Sequence, residues 1–271
     1  MKIKKHFTYN SNRQIFRIII SDSDKLIIEV RNMDSKEVYF DCYDLTKGKK
    51  IFIDFQFEEK SWIGIEAEHK DVIYFHKYDK PDMPIHRGVI AFEINTQKVL
   101  WVNEELAFLF PYENKIYCYK QGFEERYFYA LDSLTGELIE DLGNDFRHVN
   151  SLRGKADAEK DWSAYNYPER LSSADEKTKS IINEYVKKYE IEGKIEFCNK
   201  EETVLFNYHV KNRKGCFDNN FTALDINTGK PIIEKTLNTN TTMHYTDSFF
   251  IYKNFLFLLK EKDEINIFTL E

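Results

Sequence analysis

Four aligned acidic hairpins, three of them with glycine four residues after the acid, short β-rich runs grouped in fours and one helical interruption predict an all-β fold for the 271-residue chain. The architecture expected is a five-bladed β-propeller, with six blades as the fallback, carrying one helical insertion. A single all-β fold reaches this length, so residues 1–271 are read as one domain.

The hairpins occupy residues 43–51, 92–100, 131–139 and 224–232. In each, an apolar strand ends at an acidic residue (Asp44, Glu93, Asp132 or Asp225), and four positions later stands Gly48, Gln97, Gly136 or Gly229. The carboxylate can accept from the turn amides, and glycine supplies the positive φ that sends the next strand back. Gln97 departs from the pattern, so its turn is expected to be strained or of another type. Between the hairpins, strands are expected at residues 14–20, 25–31, 37–44, 49–55, 62–65, 72–76, 88–94 and 99–102, four to a unit. The interval from Asp132 to Asp225 is about double the others, and its excess lies in residues 154–193. Within that insertion Ser173-Ala-Asp-Glu176 has the form of a capping box. Ile181, Ile182, Tyr185, Val186 and Tyr189 recur at helical spacing, which predicts one helix over 174–189. The C-terminal run 265–270 is expected to be the third strand of the last unit, with residues 5–9 supplying the missing outer strand.

Phe92–Trp101 and the other hairpins resemble the repeats of quinoprotein-like propellers. Residues 61–71, 81–88 (Pro-Asp-Met-Pro-Ile-His-Arg-Gly) and 100–110 resemble an uncharacterised bacterial family known only as a domain of unknown function. The likeness extends over most of the chain and is strongest at 61–110. It implies the propeller fold and no reaction.

Composition narrows the function classes. Lys plus Arg number 39 against 46 Asp plus Glu, a net charge of −7, without a basic patch to bind a phosphate backbone or an anionic bilayer. Nucleic acid and membrane are therefore not expected partners. Charged residues interrupt the basic start, leaving no signal-peptide core, and a cytoplasmic protein is expected. Cys42, Cys118, Cys198 and Cys216 include no CxxC pair and are read as reduced, buried thiols rather than zinc ligands. GxSxG, P-loop, GxGxxG and HExxH patterns are absent from the sequence. Quinone cofactors go with exported chains carrying paired cysteines, so no cofactor is assigned.

The richest candidate site is the segment 77–87, expected to be a loop, where Asp82, His86 and Arg87 follow Asp79 and His76. Such a cluster can hold an anion through Arg87 or a divalent ion through imidazole and carboxylate, but no metal is assigned. Other loops expected beside it include 120–125, which ends next to Arg126. Glu66, Glu68 and His69 form a second cluster, placed on the opposite face or the tunnel wall and read as structural. Trp62 and Trp101 are read as core. Trp162, in the aromatic stretch 161–168 of the insertion, is the residue placed to stack on a ligand. The expected function is a non-catalytic module binding a small molecule or protein through Asp82, His86, Arg87, Arg126 and Trp162. The alternative is an enzyme of the carbohydrate-active hydrolase or lyase type, working at the tunnel mouth with Asp82, His86, Arg87 and Arg126.

Overall fold

The computed structural model describes residues 1–80 and 83–271, with side chains outside 79–84. The chain forms two compact units, residues 13–160 and residues 1–12 with 161–271. The all-β expectation holds, with five separate antiparallel sheets of four or five strands and two α-helices among the described residues.

The second unit begins with β1 (Ile3–Asn10), whose partner lies at the other end of the chain. The unit of residues 13–160 holds three sheets, each a meander of consecutive strands. They are β2 (Gln14–Ile20), β3 (Lys25–Arg31), β4 (Val38–Asp44) and β5 (Lys49–Phe55); β6 (Ile63–His69), β7 (Val72–Lys80), β8 (Met83–Glu93) and β9 (Lys98–Asn103); and β10 (Ala107–Tyr112), β11 (Lys115–Gln121), β12 (Arg126–Asp132) and β13 (Leu138–Gly143). The α1 helix (Phe146–Ala158) follows. The remaining elements are β14 (Tyr165–Asn166), β15 (Glu169–Arg170), a 3-10 turn at Leu171–Ser173, α2 (Glu176–Val186), β16 (Ile191–Lys200), β17 (Thr203–Lys211), β18 (Phe217–Asp225), β19 (Pro231–Thr241), β20 (Phe249–Tyr252), β21 (Phe255–Lys260) and β22 (Glu264–Leu270). They make two five-stranded sheets, β15 to β19 and β1-β22-β21-β20-β14. The N-terminal strand does complete the last sheet, from Ile3 opposite Leu270 to Asn10 opposite Glu264, and covers the edge of β22.

The acidic hairpins fold as their chemistry dictates. Asp132 Oδ1 accepts from Leu134 N (2.9 Å) and Thr135 N (2.8 Å), and Asp225 Oδ1 accepts from Asn227 N (2.9 Å) and Thr228 N (2.8 Å). Gly136 and Gly229 take φ of 72° and 65°, and Gln97 keeps the same turn at φ 56°, a left-handed position strained for a side chain.

Two helices stand where one was expected. In α2 the cap is Asp175 rather than Ser173, because Asp175 accepts from Thr178 N at 3.0 Å while Ser173 ends the preceding 3-10 turn. The α1 helix begins before the expected insertion, capped by Asp145, and lays Val149 and Ala156 on a core of Phe110, Tyr117, Phe128 and Ala130. Its narrow apolar stripe of Val149, Leu152 and Ala156 is diluted by polar residues, so periodicity barely marks it. Segment 77–87 is also not a loop over its described part: Lys77 pairs with Arg87, and Tyr78 with His86, in a continued hairpin.

Aromatic side chains fill the space between the first two sheets, with Phe40 and Phe75 ring centroids 4.7 Å apart and Phe52 and Phe92 5.7 Å apart. Trp101 is buried and donates its indole N–H to Ser133 O at 3.1 Å, docking β9 onto the neighbouring hairpin. Trp62, expected in the core, is 41% exposed because it precedes β6 and faces a surface pocket. Cys42, Cys118 and Cys198 are buried free thiols, and burial pushes Cys42 and Cys198 up to about 12.

One polar clamp joins the first two sheets. Glu29, 1% exposed, accepts from Ile65 N at 3.1 Å and from Arg31 at 2.7 Å, while Arg17 donates to Ile65 O. A buried carboxylate survives only when paired and hydrogen-bonded, and here those partners fix the backbone of β6.

Three outcomes follow. Gly229→Ala costs about 1 kcal/mol for its φ alone, since nothing lies within 4 Å of the added carbon. Gly136→Ala costs about 1–3 kcal/mol more, because the new Cβ would meet the Trp101 ring at 2.6 Å; urea unfolding measures both. Glu29→Ala leaves Arg31 and the Ile65 N–H unmatched and costs about 3 kcal/mol or more in the same assay. The third outcome concerns acid. His209 is 1% exposed, accepts from Tyr245 N at 3.0 Å, and is held down to about 4 by burial and by His244. The unfolded chain takes up this proton near pH 6.5. Its contribution is therefore complete above that pH and lost as pH falls toward 4, up to about 3 kcal/mol. His209→Gln keeps an acceptor and removes that increment of acid sensitivity.

Candidate functional site

β6 and β8 both break register where they build the site. Ile65 pairs with Phe75 and Ala67 with Tyr74, so Glu66 is an extra residue bulged out of β6. On the other flank of β7, Phe75 pairs with Ile90 and Lys77 with Arg87, which sets both Gly88 and Val89 against His76. Gly88 supplies φ 80° for that second bulge.

The two bulges bring three side chains together. His86 Nδ1 donates to Glu66 Oε1 at 2.7 Å. The His86 ring stacks on His76, centroids 3.5 Å apart and planes 13° apart, with Tyr78 edge-on to both at 5.0 and 5.2 Å. His76 is 3% exposed, and burial together with neighbouring His86 holds it down to about 3, so it stays a neutral imidazole. Gly64 pairs with His76 across the ladder, and a Cβ there would lie 2.7 Å from His76 Nε2. Only glycine leaves the ring its place.

Glu66 and His86 open onto a pocket of about 650 Å³ between the second and third sheets. Arg87, Lys120 and Arg126 line it with Tyr119 and Phe108. Lys120 Nζ is paired with Glu105 at 2.5 Å. Arg126 Nε donates to Gln121 Oε1 at 3.0 Å and the guanidinium lies 4.8 Å from the Tyr119 ring centroid. Among the described residues no carboxylate pairs with Arg126, which leaves its charge available to an anion.

The expected site residues thus divide. His86, Arg87 and Arg126 line one pocket, with Arg87 exposed. Asp82 lies outside the described residues. Trp162 belongs to the other unit, is 59% exposed with its ring 5.7 Å from Tyr165, and does not line the pocket. Glu66, placed elsewhere by the sequence reading, is the correction: the bulge turns it to His86. Its two companions stay apart. Glu68 accepts from Asp71 N at 2.8 Å and burial pushes it up to about 7, while His69 Nε2 contacts Glu113 O at 2.7 Å. Lys120 and Tyr119 were missed as site residues, although the segment 120–125 was marked as a neighbouring loop.

No helix among the described residues is long and apolar enough to cross a membrane. No curated protein matches the sequence. Among solved structures, a europium-containing methanol dehydrogenase is similar at 11% identity and TM-score 0.34, covering 96% of this chain, which spans 52% of the dehydrogenase. The β-propeller domain of the Trilobed protease from Pyrococcus furiosus is similar at 11% identity and TM-score 0.32, covering 95% of this chain and 65% of that one. A member of the DUF4221 family from Bacteroides vulgatus is similar at 9% identity and TM-score 0.24, covering 99% and 97%. The resemblance read from residues 61 to 110 is matched by a family model over residues 19–101, described as Domain of unknown function (DUF4905).

Proposed function

We propose that the chain is a non-catalytic ligand-binding module, its five sheets the blades of one propeller, that holds a small organic anion in the pocket between the second and third sheets. The strand order, four or five to a sheet with the N-terminal strand completing the last, supports the propeller reading. One observation carries the anion reading: Arg126 lines the pocket with its Nε on a neutral amide, its face near Tyr119 and no carboxylate partner among the described residues. A guanidinium so placed offers paired N–H donors to a carboxylate or phosphate, and Arg87 adds positive charge. Phe108, Ile85 and Ala107 supply apolar surface, so the ligand carries an apolar or ring portion beside its charge. The carboxylates of the pocket have other partners, Glu66 with His86 and Glu105 with Lys120, so neither occupies the Arg126 guanidinium.

Phenyl phosphate and inorganic phosphate, with a chelator present, are the probes. Either should raise the unfolding temperature of the wild type, and Arg126→Ala should weaken binding about tenfold or more. Equal shifts in the two proteins, or none in the wild type, would contradict the reading.

A further inference from the structure

Glu66, His76 and His86 place one carboxylate oxygen and two imidazole nitrogens within 4.8 Å of one another. We propose that these three residues form a site for a zinc-class divalent ion, with one coordination position open to the pocket. The assignment goes beyond the anion reading and does not rest on it, since it uses neither Arg87 nor Arg126.

The donor set selects the ion. Two imidazoles and one carboxylate suit zinc or a neighbouring first-row metal, whereas calcium and magnesium ask for oxygen ligands. Three protein ligands with a fourth position toward solvent is the arrangement of zinc sites that bind a water or an anion. His76 supplies a buried ligand at the back, Glu66 and His86 the front, and both of these line the pocket.

The positions need one adjustment. Tetrahedral zinc holds its ligand atoms roughly 3.4 Å apart, between the 2.7 Å of the Glu66–His86 contact and the 4.8 Å that encloses all three atoms. Ring nitrogens donate in the ring plane, so two stacked imidazoles cannot both address one ion until one of them turns. His76 is fixed by burial and by the backbone of Gly64. The His86 side chain is 38% exposed and turns about its own side-chain bonds, as the ion takes the place of the hydrogen between Nδ1 and Oε1 and the neutral ring carries its proton on Nε2 instead. A Glu66–His86 pair serving only structure would require neither a second, buried imidazole against it nor a glycine opposite that ring.

Zinc alone is the probe, by equilibrium dialysis with metal analysis and by cobalt substitution read in the visible spectrum. The wild type should bind one equivalent, with cobalt bands of a low-coordinate nitrogen and oxygen site. Glu66→Gln and His86→Gln should each weaken binding about tenfold or more, while exposed His148→Gln leaves it unchanged. Metal-free thermal unfolding of each variant confirms that it is folded. Less than one equivalent on the wild type, or unchanged affinity in both site variants, would overturn the assignment. Phosphate binding in chelator is measured separately, so the metal site can fail while the anion pocket stands.

Discussion

The carboxylate of Glu29 holds β6 where the site needs it. Buried almost completely, it is kept by Arg31 and takes the Ile65 N–H, while Arg17 takes the Ile65 carbonyl. Both backbone groups of the residue before the bulge are thereby fixed from the neighbouring sheet. Glu66, immediately after it, has no partner residue in the ladder and is aimed at His86. Desolvation gives this clamp its leverage: removing one partner leaves a buried charge or a buried amide without compensation.

The same device recurs along the unit. The first strand of each of its three sheets carries one extra residue, Phe16 in β2, Glu66 in β6 and Leu109 in β10. Each extra residue lines a pocket: Phe16 one of about 330 Å³ with Trp62 and Tyr78, Glu66 the candidate site, and Leu109 one of about 500 Å³ beneath α1. A bulge re-aims a side chain without disturbing the ladder on either side, so three similar meanders present three different chemistries. Among the three bulged residues Glu66 alone is ionisable.

Much of the scaffold was legible in the sequence because it is local. The turn chemistry of Asp44, Asp132 and Asp225, the strands around it and the pairing of the two chain ends follow from residue type and spacing. What escaped is what depends on registers. The apolar alternation Ile63, Ile65, Ala67 runs unbroken through the sequence, although the bulge sets Ala67 against Tyr74 on the other face, so nothing in the pattern shows that Glu66 leaves the ladder, and the residue was assigned to the wrong neighbours. His86 and Arg87 were recognised as a cluster, but their segment read as a loop because its prolines and charges suggested a break, whereas its described residues pair as strands. The α1 helix was lost to dilution of its apolar stripe. Trp62 looked like core from its apolar run and is half exposed, since the run begins only after it.

The central claim is that the buried Glu29 clamp sets the bulge and thereby aims Glu66 at His86. Nitrogen-15 NMR of the His86 ring, in the wild type and in Glu29→Met, which fills the space without an acceptor, tests it most directly. The wild type should show a proton on Nδ1 that is hydrogen-bonded and slow to exchange, and folded Glu29→Met should lose that protection. The same protected Nδ1 proton in both proteins, or an Nε2-protonated ring in the wild type, would contradict it.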